Sequence, residues 1–588
     1  MKKSVIKKSI IKRLLSYMKP YLPVLLGAFA AAVINVVLTL YGPILIGHAI
    51  DQIIGAGKVN FTQLFPILVQ LALTVAGSAL FQWVQAYCTN KSAYQTVRDL
   101  HIQTYQKIDR LPLAYIDSHA HGDIISRIVN DVDQVSDGLL QGITQFFTGV
   151  VMIVGTLLFM LSISPVIALV VVLVTPLSIF VAGMIAHLCR KQFTEQQAVQ
   201  GELTGFVEEH ISGQKIVKTF AHEKKAQEQF EQINHTLYSC GVKAQLYSSF
   251  SNPATRFVNN LVYAVVAITG SICVITGRPA ALTIGQVQSF LTYANQYTKP
   301  FNDVTSVITQ LQTAFASAGR LFDFLDEAEE PVDVPDAAVL QNVAGQVDIK
   351  NVDFSYNKET SLIENLNIHA KPGARIAIVG PTGCGKTTII NLLMRFYDID
   401  KGTIRIDGKD SRQITRRSLR AAFGMVLQES WLFTGTVREN IAYSRPDATL
   451  EQVVAAAKAA HAHNFIMRLP QGYDTVISED GGNFSQGQQQ LLCIARVMLV
   501  DPPILILDEA TSSIDTRTEV LIQQAFDHMM QGRTSFVVAH RLSTIRNADC
   551  ILVMNHGNIV EQGTHDELLQ KGGFYAKLYN SQFAGAQI

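Results

Sequence analysis

Long uncharged runs dominate the first half of the chain, and they predict membrane-spanning helices. Residues 21–50 and 61–90 lack Asp, Glu, Lys and Arg, and residues 138–189 form one uncharged stretch long enough for two crossings. A bilayer core about 30 Å thick needs about 20 mostly apolar helical residues, and a charge at its centre costs about 2.5 to 3.5 kcal/mol on insertion scales. We predict six spans, at about 21–50, 61–90, 138–161, 166–189, 250–277 and 279–310.

Basic residues predict the orientation of these spans, because short cytoplasmic loops hold the excess of Lys and Arg. Seven lysines and arginines precede residue 20, whereas the loops after spans one, three and five together hold two. We therefore expect a multi-pass protein of the cell membrane with both termini in the cytoplasm. The sixth span carries Gln286, Gln288, Asn295 and Gln296, and this polarity predicts a face turned to an aqueous cavity.

The first 20 residues predict an amphipathic helix. Val5, Ile6, Ile10, Leu14 and Leu15 lie roughly on one helical face, and lysines lie elsewhere. Such a helix suits the inner leaflet of a lipid bilayer. A disordered basic tail is the alternative interpretation.

Two charged segments, residues 91–137 and 190–245, predict that the spans continue beyond the bilayer as helices, because both are mostly free of proline. Helix-breaking residues interrupt each segment once, within 111–122 and 208–213. We therefore expect two helical hairpins whose tips can touch another domain. The predicted transmembrane domain covers residues 21–325.

The second half of the chain has a different pattern. Residues 326–345 begin with an acidic, proline-containing stretch that is typical of a linker, and from residue 346 to 588 β-rich segments alternate with helical patterns. The predicted fold class is thus an all-α membrane domain of six helices with long cytoplasmic extensions, followed by an α/β domain.

The amino-acid composition favours a membrane protein and argues against some classes of function. Only 16% of the residues are charged, against about 25% in soluble proteins, and 48% are apolar. A formal net charge of zero argues against a nucleic-acid partner, which would require a basic excess. The seven cysteines are scattered and lack a CxxC pair, so we expect free thiols.

A phosphate-binding loop is the first motif with a chemical meaning. A buried-strand pattern at residues 374–379 runs into GPTGCGKT, which satisfies GxxxxGK[ST] between a strand and a helix. Backbone N–H groups of such a loop surround the β- and γ-phosphates of ATP, Lys386 adds a positive charge, and Thr387 ligates Mg²⁺. The predicted ATP-binding residues of this loop are Gly380, Pro381, Thr382, Gly383, Cys384, Gly385, Lys386, Thr387 and Thr388.

A second buried strand, ILILDE at residues 504–509, ends in two carboxylates. Asp508 can hold Mg²⁺ through water, and Glu509 can polarise the attacking water. These two motifs predict an ATPase but do not exclude a kinase, a GTPase or a motor protein.

Further motifs resemble those of ATP-binding cassettes, and they occur in the family's order. The sequence FSQGQ at residues 484–488 resembles the signature LSGGQ and lies just upstream of the acidic strand. By this resemblance, which covers residues 346–579 behind six spans, the chain is identified as an ABC exporter half-transporter. The matching residues are Tyr356 of the A-loop, Gln428 of the Q-loop, Ser485, Gln486, Gly487 and Gln488 of the signature, Asp515 of the D-loop and the switch histidine His540.

The resemblance implies roles for these residues. Tyr356 stacks on adenine, His540 orients the attacking water together with Glu509, and Gln428 contacts Mg²⁺ alongside Thr387 and Asp508. The signature binds the γ-phosphate of ATP held by another subunit, so two half-transporters must pair. The implied activity is ATP-driven export of a hydrophobic or amphipathic substrate by alternating access, and the implied cofactors are ATP and Mg²⁺.

The signature departs from the family pattern. Phe484 replaces Leu, Gln486 replaces one glycine of the usual Gly-Gly pair, and Gln489 stands where Arg often follows. The resemblance implies that such signatures occur in heterodimeric bacterial exporters. In these exporters each ATP site is a composite of residues from both subunits, and one composite site hydrolyses ATP while the other mainly binds it. Because Glu509 and His540 are intact, the chain is expected to give its phosphate loop and acidic strand to the active site and its altered signature to the weak one. We therefore expect a heterodimer, and a homodimer is the alternative.

The substrate is not readable from the sequence. A multidrug-type exporter is the first interpretation, and a lipid or peptide exporter is the alternative. An ATP-gated channel, a non-transporting sensor and an iron-chelate importer share the architecture, but the resemblance implies a regulatory segment for the channel and a substrate-reducing domain for the importer. A sensor would hydrolyse ATP without stimulation by a substrate.

Overall fold

The computed structural model describes residues 2–53, 58–277, 282–357, 360–428, 430–478, 484–508, 514–539 and 542–583. It divides into two compact units. The first contains residues 1–110 and 119–327, and the second contains residues 111–118 and 328–588.

Long helices build the first unit. Its helices are α1 (Lys2–Met18), α2 (Leu22–Asp51), α3 (Phe61–Ile108), α5 (His121–Ile128), α6 (Asn130–Ile163), α7 (Pro165–Ser212), α8 (Gln214–Thr219), α9 (Glu223–Ser249), α10 (Ser251–Thr276) and α11 (Ile284–Asp326), while α4 (Leu113–Ser118) belongs to the second unit. The helical extensions are confirmed, because α3 and α7 both run far past the predicted spans. Helix α7 ends at Ser212, within the predicted break at 208–213, whereas α3 ends at Ile108, shortly before the predicted break at 111–122.

Several of these helices can cross a membrane. In the described part of the chain, four helical stretches are long and apolar enough: Ser9–Asp51, Phe61–Ile108, His121–Ile163 and Arg256–Thr276. The predicted fourth and sixth spans fall on α7 and α11, which are continuous helices there. The chain is thus a multi-pass membrane protein, and the number of six crossings remains a prediction.

The N-terminal helix α1 packs against protein. Leu14 and Met18 are buried in a cluster that includes Phe322 of α11. The Arg13 guanidinium lies 4.5 Å from the centre of the Phe322 ring and 2.5 Å from the Asp326 carboxylate. The expectation of one lipid-facing side is therefore wrong for Leu14, whose apolar surface is covered by neighbouring helices.

Close backbone contact joins α2 to α11. A Cβ atom added at Gly285 would lie 1.9 Å from the carbonyl oxygen of Gly47, so only glycine fits there. The Gly285 amide donates to the Asp51 carboxylate at 2.8 Å, and the buried Tyr293 hydroxyl donates to the Leu40 carbonyl at 2.5 Å. These hydrogen bonds matter because burying a polar group without a partner in an apolar interior raises the free energy of the folded state.

The second unit is an α/β domain with three sheets. Its strands are β1 (Val347–Phe354), β2 (Ile363–Ala370), β3 (Arg375–Val379), β4 (Lys401–Ile406), β5 (Lys409–Asp410), β6 (Phe423–Val426), β7 (Gly435–Thr436), β8 (Val476–Ile477), β9 (Ile504–Asp508), β10 (Thr534–Val538), β11 (Cys550–Asn555) and β12 (Asn558–Gly563). Its further helices are α12 (Lys386–Leu393), α13 (Arg416–Ala421), α14 (Val437–Ile441), α15 (Leu450–Ala459), α16 (His463–Ile466), α17 (Gln486–Val500), α18 (Thr516–Met530), α19 (Leu542–Arg546), α20 (His565–Lys571) and α21 (Phe574–Phe583).

The central sheet has the strand order β12-β11-β3-β10-β9-β6, and all its pairs are parallel except β11 with β12. Its strands β3, β9 and β10 are almost wholly buried, as expected for a parallel sheet that is covered on both faces. A second, antiparallel sheet has the order β2-β1-β4-β5. The α/β fold class of the second half is thereby confirmed.

The predicted linker is fixed to this domain by ion pairs. The guanidinium of Arg416, whose side chain is 8% exposed, lies 3.1 Å from Asp333, 3.3 Å from Glu330 and 3.4 Å from Asp398. Arg420 reaches the same Glu330 at 2.5 Å. Several carboxylates compensate a nearly buried cation here, so the linker after residue 328 is an ordered part of the domain.

Replacing Arg416 with alanine is expected to destabilise the second unit by about 1 to 3 kcal/mol, because the carboxylates lose their nearly buried cation and keep only Arg395 or Arg420 as a partner. Thermal unfolding of the purified protein measures the change. The matched control is Arg417→Ala. The neighbouring Arg417 is exposed and makes no side-chain hydrogen bond or ion pair with any described residue. Equal melting temperatures for the two variants would contradict this assignment.

Candidate nucleotide-binding site

Four neighbouring strands of the central sheet end at one edge, and each leads into a predicted motif. Val538 of β10 pairs with Ile378 of β3 on one side and with Asp508 of β9 on the other. Val426 of β6 pairs with Leu507 of β9. Because parallel strands share a direction, the phosphate loop, the end of β10 at Val538, the acidic strand end and the Q-loop follow one another along this edge.

The phosphate loop joins β3 to the N-terminus of α12. Gly383 and Gly385 have φ angles of +80° and +98°, which favour glycine. The Lys386 ammonium donates to the carbonyl oxygens of Gly380 and Pro381 at 2.9 and 3.0 Å. The lysine thus lies over its own loop, where it can exchange these carbonyls for phosphate oxygens.

The phosphate loop is closely packed at Gly380. A Cβ atom at Gly380 would lie 2.4 Å from the Met554 carbonyl and 2.7 Å from the Cys384 sulfur. Cys384 is buried, and this burial raises the pKa of its thiol. The Cys384 carbonyl accepts from the Gly557 amide at 3.0 Å, which ties the loop to the turn between β11 and β12. All seven cysteines are free thiols, as predicted.

Tyr356 lies beside the helix that follows the loop. Its hydroxyl donates to Thr388 at 3.3 Å and accepts from the Asn391 amide at 3.3 Å. Its ring stands at 84° to the Phe354 ring with centroids 4.9 Å apart, and 51% of the side chain is exposed. Thr388 is buried under this contact, while enough of the Tyr356 ring is exposed to stack on a base.

The acidic strand ends at Asp508 as predicted, and Gln428 is exposed shortly after β6. Glu509 and His540 lie outside the described residues, directly after Asp508 and Ala539. Their predicted roles as general base and γ-phosphate sensor therefore remain predictions.

The donor atoms at this edge suit Mg²⁺, which prefers hard oxygen ligands. Thr387 offers an exposed hydroxyl at the start of α12, Asp508 a carboxylate, and Gln428 an amide oxygen. When bound, Mg²⁺ would neutralise charge on the β- and γ-phosphate oxygens of ATP. A different site is not evident, since the described residues contain no group of three or more His, Cys, Asp or Glu side chains that could hold a metal ion.

The signature motif begins helix α17. Ser485 is its N-cap: the Ser485 hydroxyl accepts from the Gln488 amide at 3.3 Å, and the Gln488 side chain accepts from the Ser485 amide at 3.0 Å. A Cβ atom at Gly487 would lie 2.4 Å from the Thr518 side chain, so this glycine allows α17 to approach α18. Gln486 is exposed at the first helical position.

Asp515 caps the helix α18. Its carboxylate accepts from the backbone amides of Thr518 at 3.0 Å and Arg517 at 3.1 Å. The hydrogen bond from Thr518 holds the pKa of the Asp515 carboxyl below its usual range. Asp515 is therefore an anion that fixes the D-loop at neutral pH.

Comparisons with known proteins agree with this geometry. The family model described as the ABC transporter transmembrane region matches residues 25–301, and the family model described as ABC transporter matches residues 363–512. A fatty acid ABC transporter ATP-binding/permease protein of Mycobacterium bovis is 45% identical, over 86% of this chain and 80% of the relative. The chain belongs to the ABC transporter family. It is an ATP-hydrolysing half-transporter of the exporter type.

Two further known ABC transporters are similar to almost the whole of this chain. An ATP-dependent lipid A-core flippase of Syntrophus aciditrophicus is 35% identical, over 98% of this chain and 94% of the relative. A solved structure of a bacterial Atm1-family ABC exporter with ATP bound is 29% identical, has a TM-score of 0.76, and covers 95% of this chain and 98% of its own. The fold of both halves is therefore that of an ABC exporter.

Sequence reasoning missed two residues of this site. Tyr397 packs on Tyr356, and Gly557 supports the phosphate loop. The aromatic pair at residues 396–397, directly after the loop's helix, was a signal for the first. The sequence NHGN between two strand patterns was a turn signal for the second.

Proposed function

We propose that this ABC half-transporter exports a hydrophobic or amphipathic substrate by alternating access, powered by ATP that is bound between two cassettes. The observation that carries the proposal is the alignment of four motif-bearing strand ends at one sheet edge. In this proposal Lys386 binds the phosphates, Glu509 polarises the attacking water, and His540 orients it. The cassette is cytoplasmic and Mg²⁺ is the cofactor.

A cavity in the first unit, lined by both polar and apolar groups, supports an amphipathic substrate. Its volume is about 460 Å³, and it is lined by Asn35, Thr39, Gln82, Gln85, Ala86, Thr144, Gln145, Thr148, Gly149, Met152, Gln296, Lys299 and Pro300. The Gln296 side-chain oxygen is buried there, and no described residue forms a hydrogen bond with it. Such a group suits a ligand with a polar head. The names of the two relatives, which specify a fatty acid and lipid A, favour a lipid over a peptide.

Substrate-stimulated ATP hydrolysis tests this proposal. The transporter, reconstituted in liposomes, is exposed to lipids, lipophilic cations and peptides, and phosphate release is measured. We expect lipids to stimulate turnover, and Glu509→Gln to abolish both basal and stimulated activity. Absence of stimulation by every class would indicate a non-transporting sensor, and full activity of Glu509→Gln would contradict the assigned base.

A heterodimer is the proposed assembly. The exposed Gln486 side chain stands at the N-terminus of α17, where backbone amides would otherwise face the opposing γ-phosphate. This crowding weakens the composite site that uses the signature of this chain. A partner with an intact signature would complete the other composite site, which contains Lys386 and Glu509.

The purified chain alone is accordingly expected to hydrolyse ATP slowly, and addition of the partner half-transporter should raise turnover by at least about tenfold, since loss of one well-placed donor costs about 100-fold or more in rate. Gln486→Gly should partly replace the partner by restoring the signature. Vigorous turnover by the unmodified chain alone, abolished by Glu509→Gln, would establish a homodimer instead.

A further inference from the structure

Tyr397 contacts two functional parts of the second unit with one side chain. Its ring stands at 90° to the ring of Tyr356, with centroids 4.9 Å apart. Its hydroxyl donates to the Asp117 carboxylate at 2.6 Å. The predicted adenine-stacking residue is thereby linked to α4, which lies between the helices α3 and α5 in the chain.

Tyr356 depends on few neighbours for its position. Beyond its two hydroxyl contacts near α12, its ring is held edge to face by Phe354 and by Tyr397. A base that stacks on Tyr356 restricts this ring, because aromatic contacts have preferred offsets and angles. The restriction passes to the Tyr397 ring through direct contact.

The turn that carries Tyr397 is itself fixed. The Phe396 amide donates to the Asn391 carbonyl at 2.9 Å, and the Arg395 guanidinium donates to the Ser411 carbonyl at 3.0 Å. The guanidinium of Arg420 lies 5.1 Å from the centre of the Phe396 ring. Tyr397 therefore follows a turn that is held on several sides, and its ring also packs on Phe354 with centroids 5.8 Å apart.

Residues 111–118, the segment that contains Asp117, are also held by buried side chains. Leu111 and Tyr115 are buried, whereas Asp117 is exposed apart from its hydrogen bond to Tyr397. This bond is charge-assisted, and such bonds are shorter and stronger than neutral ones. Burial and the neighbouring Asp117 raise the pKa of the Tyr397 hydroxyl, which keeps it protonated as a donor at neutral pH.

We propose that Tyr397 is a positioning residue for adenine, and that its hydrogen bond to Asp117 transmits adenine binding to residues 111–118. Adenine on Tyr356 stabilises one orientation of the Tyr397 ring, and this orientation holds Asp117. The segment thus gains a contact that differs between the occupied and the empty site, which any ligand-driven shift requires. The inference rests on the proposed function in one respect, namely that adenine stacks on Tyr356.

Hydrogen exchange of the full-length protein tests the proposal with two probes, ADP and pyrophosphate. Both reach the phosphate loop without hydrolysis of ATP, but only ADP carries adenine. We expect ADP to slow amide exchange in residues 111–118 by at least about threefold, and pyrophosphate to leave it unchanged. Equal protection by both probes would overturn the role of adenine.

Tyr397→Phe is the decisive variant, because it keeps the ring and removes the donor. At saturating ADP, protection of residues 111–118 should disappear in this variant, because the hydrogen bond to Asp117 is lost while the ring that packs on Tyr356 is kept. Asp117→Ala should give the same loss, and the double variant should be no worse than either single one, as for two groups in one interaction. Retained protection in Tyr397→Phe would overturn the proposal.

Two further variants separate the possible failures. Tyr473→Phe removes a comparable phenol hydrogen bond, to His463 at 2.9 Å, and should behave like the wild type. Tyr356→Ala should weaken ADP binding by about tenfold, because base stacking is worth about 1 to 3 kcal/mol. An unchanged Kd in Tyr356→Ala would overturn the adenine site itself. Weakened binding there, together with normal protection in Tyr397→Phe, would overturn only the transmission through Tyr397.

Discussion

ATP hydrolysis is expected to fall by at least about 100-fold when Lys386 is replaced by alanine, since fixed positive charge next to a transferring phosphoryl group is among the largest catalytic contributions. The Lys386 ammonium lies 2.9 Å from the Gly380 carbonyl, at the mouth of the phosphate loop. Its loss removes the cation and leaves the backbone amides alone to bind the phosphates. Phosphate release by the reconstituted transporter measures the effect.

Lys371→Ala is the matched control. Lys371 is an exposed lysine in the turn before β3, at the opposite end of that strand from the loop. Its replacement removes the same charge and should leave turnover within about twofold, as expected for a surface charge. A Lys386→Ala variant that retains wild-type turnover would show that the phosphates bind elsewhere.

Gly557→Ala should destabilise the second unit by at least about 3 kcal/mol and lower its melting temperature by at least about 6 °C. Gly557 has a φ of +80°, and an added Cβ would lie 1.4 Å from the Leu362 carbonyl oxygen. The backbone must therefore move. Because the Gly557 amide donates to Cys384, this movement also reaches the phosphate loop. Thermal unfolding and ATP binding are the two measurements.

Gly532→Ala separates the two causes of this effect. Gly532 has a similar φ of +74°, but nothing lies within 4 Å of an added Cβ. Its replacement should lower the free energy of unfolding by only about 1 kcal/mol, which is the usual strain of an alanine in the left-handed region. If both variants melt at the same temperature, the close approach to Leu362 has no energetic importance.

Local patterns made much of the site predictable. The strand, glycine-rich turn and helix around Lys386 are adjacent in sequence, so their geometry follows from neighbouring residues alone. The start of α17 was similarly readable, because Ser485 and Gln488 have the spacing of a capping box. The helical extensions followed from charged segments that are mostly free of proline.

Contacts between distant residues were not predictable in this way. Asp117 and Tyr397 are 280 positions apart, and no periodicity in either segment indicates the other. The linker is a second example, since its acidic composition predicted a linker but not its ion pairs with Arg416. Its partner Arg416 has no sequence feature that distinguishes it from Arg417. Burial alone separates them, and burial is a property of the folded chain.

In the proposed dimer, one cassette supplies half of each ATP site. The phosphate loop extends from the central sheet, whereas Ser485 begins a helix that packs in a different hydrophobic cluster. Ser485 is exposed at the start of α17. A second cassette is the natural source of the missing phosphate.

The most direct test of this account measures the distance between Ser485 and the phosphate loop of the partner cassette. Ser485→Cys, in a chain whose seven native cysteines are replaced, is paired with a cysteine beside the phosphate loop of the second subunit. We predict rapid disulfide formation when ATP is present and hydrolysis is blocked, and little without nucleotide. Cross-linking that is absent with ATP, or equal with and without it, would contradict the claim that ATP joins the two cassettes.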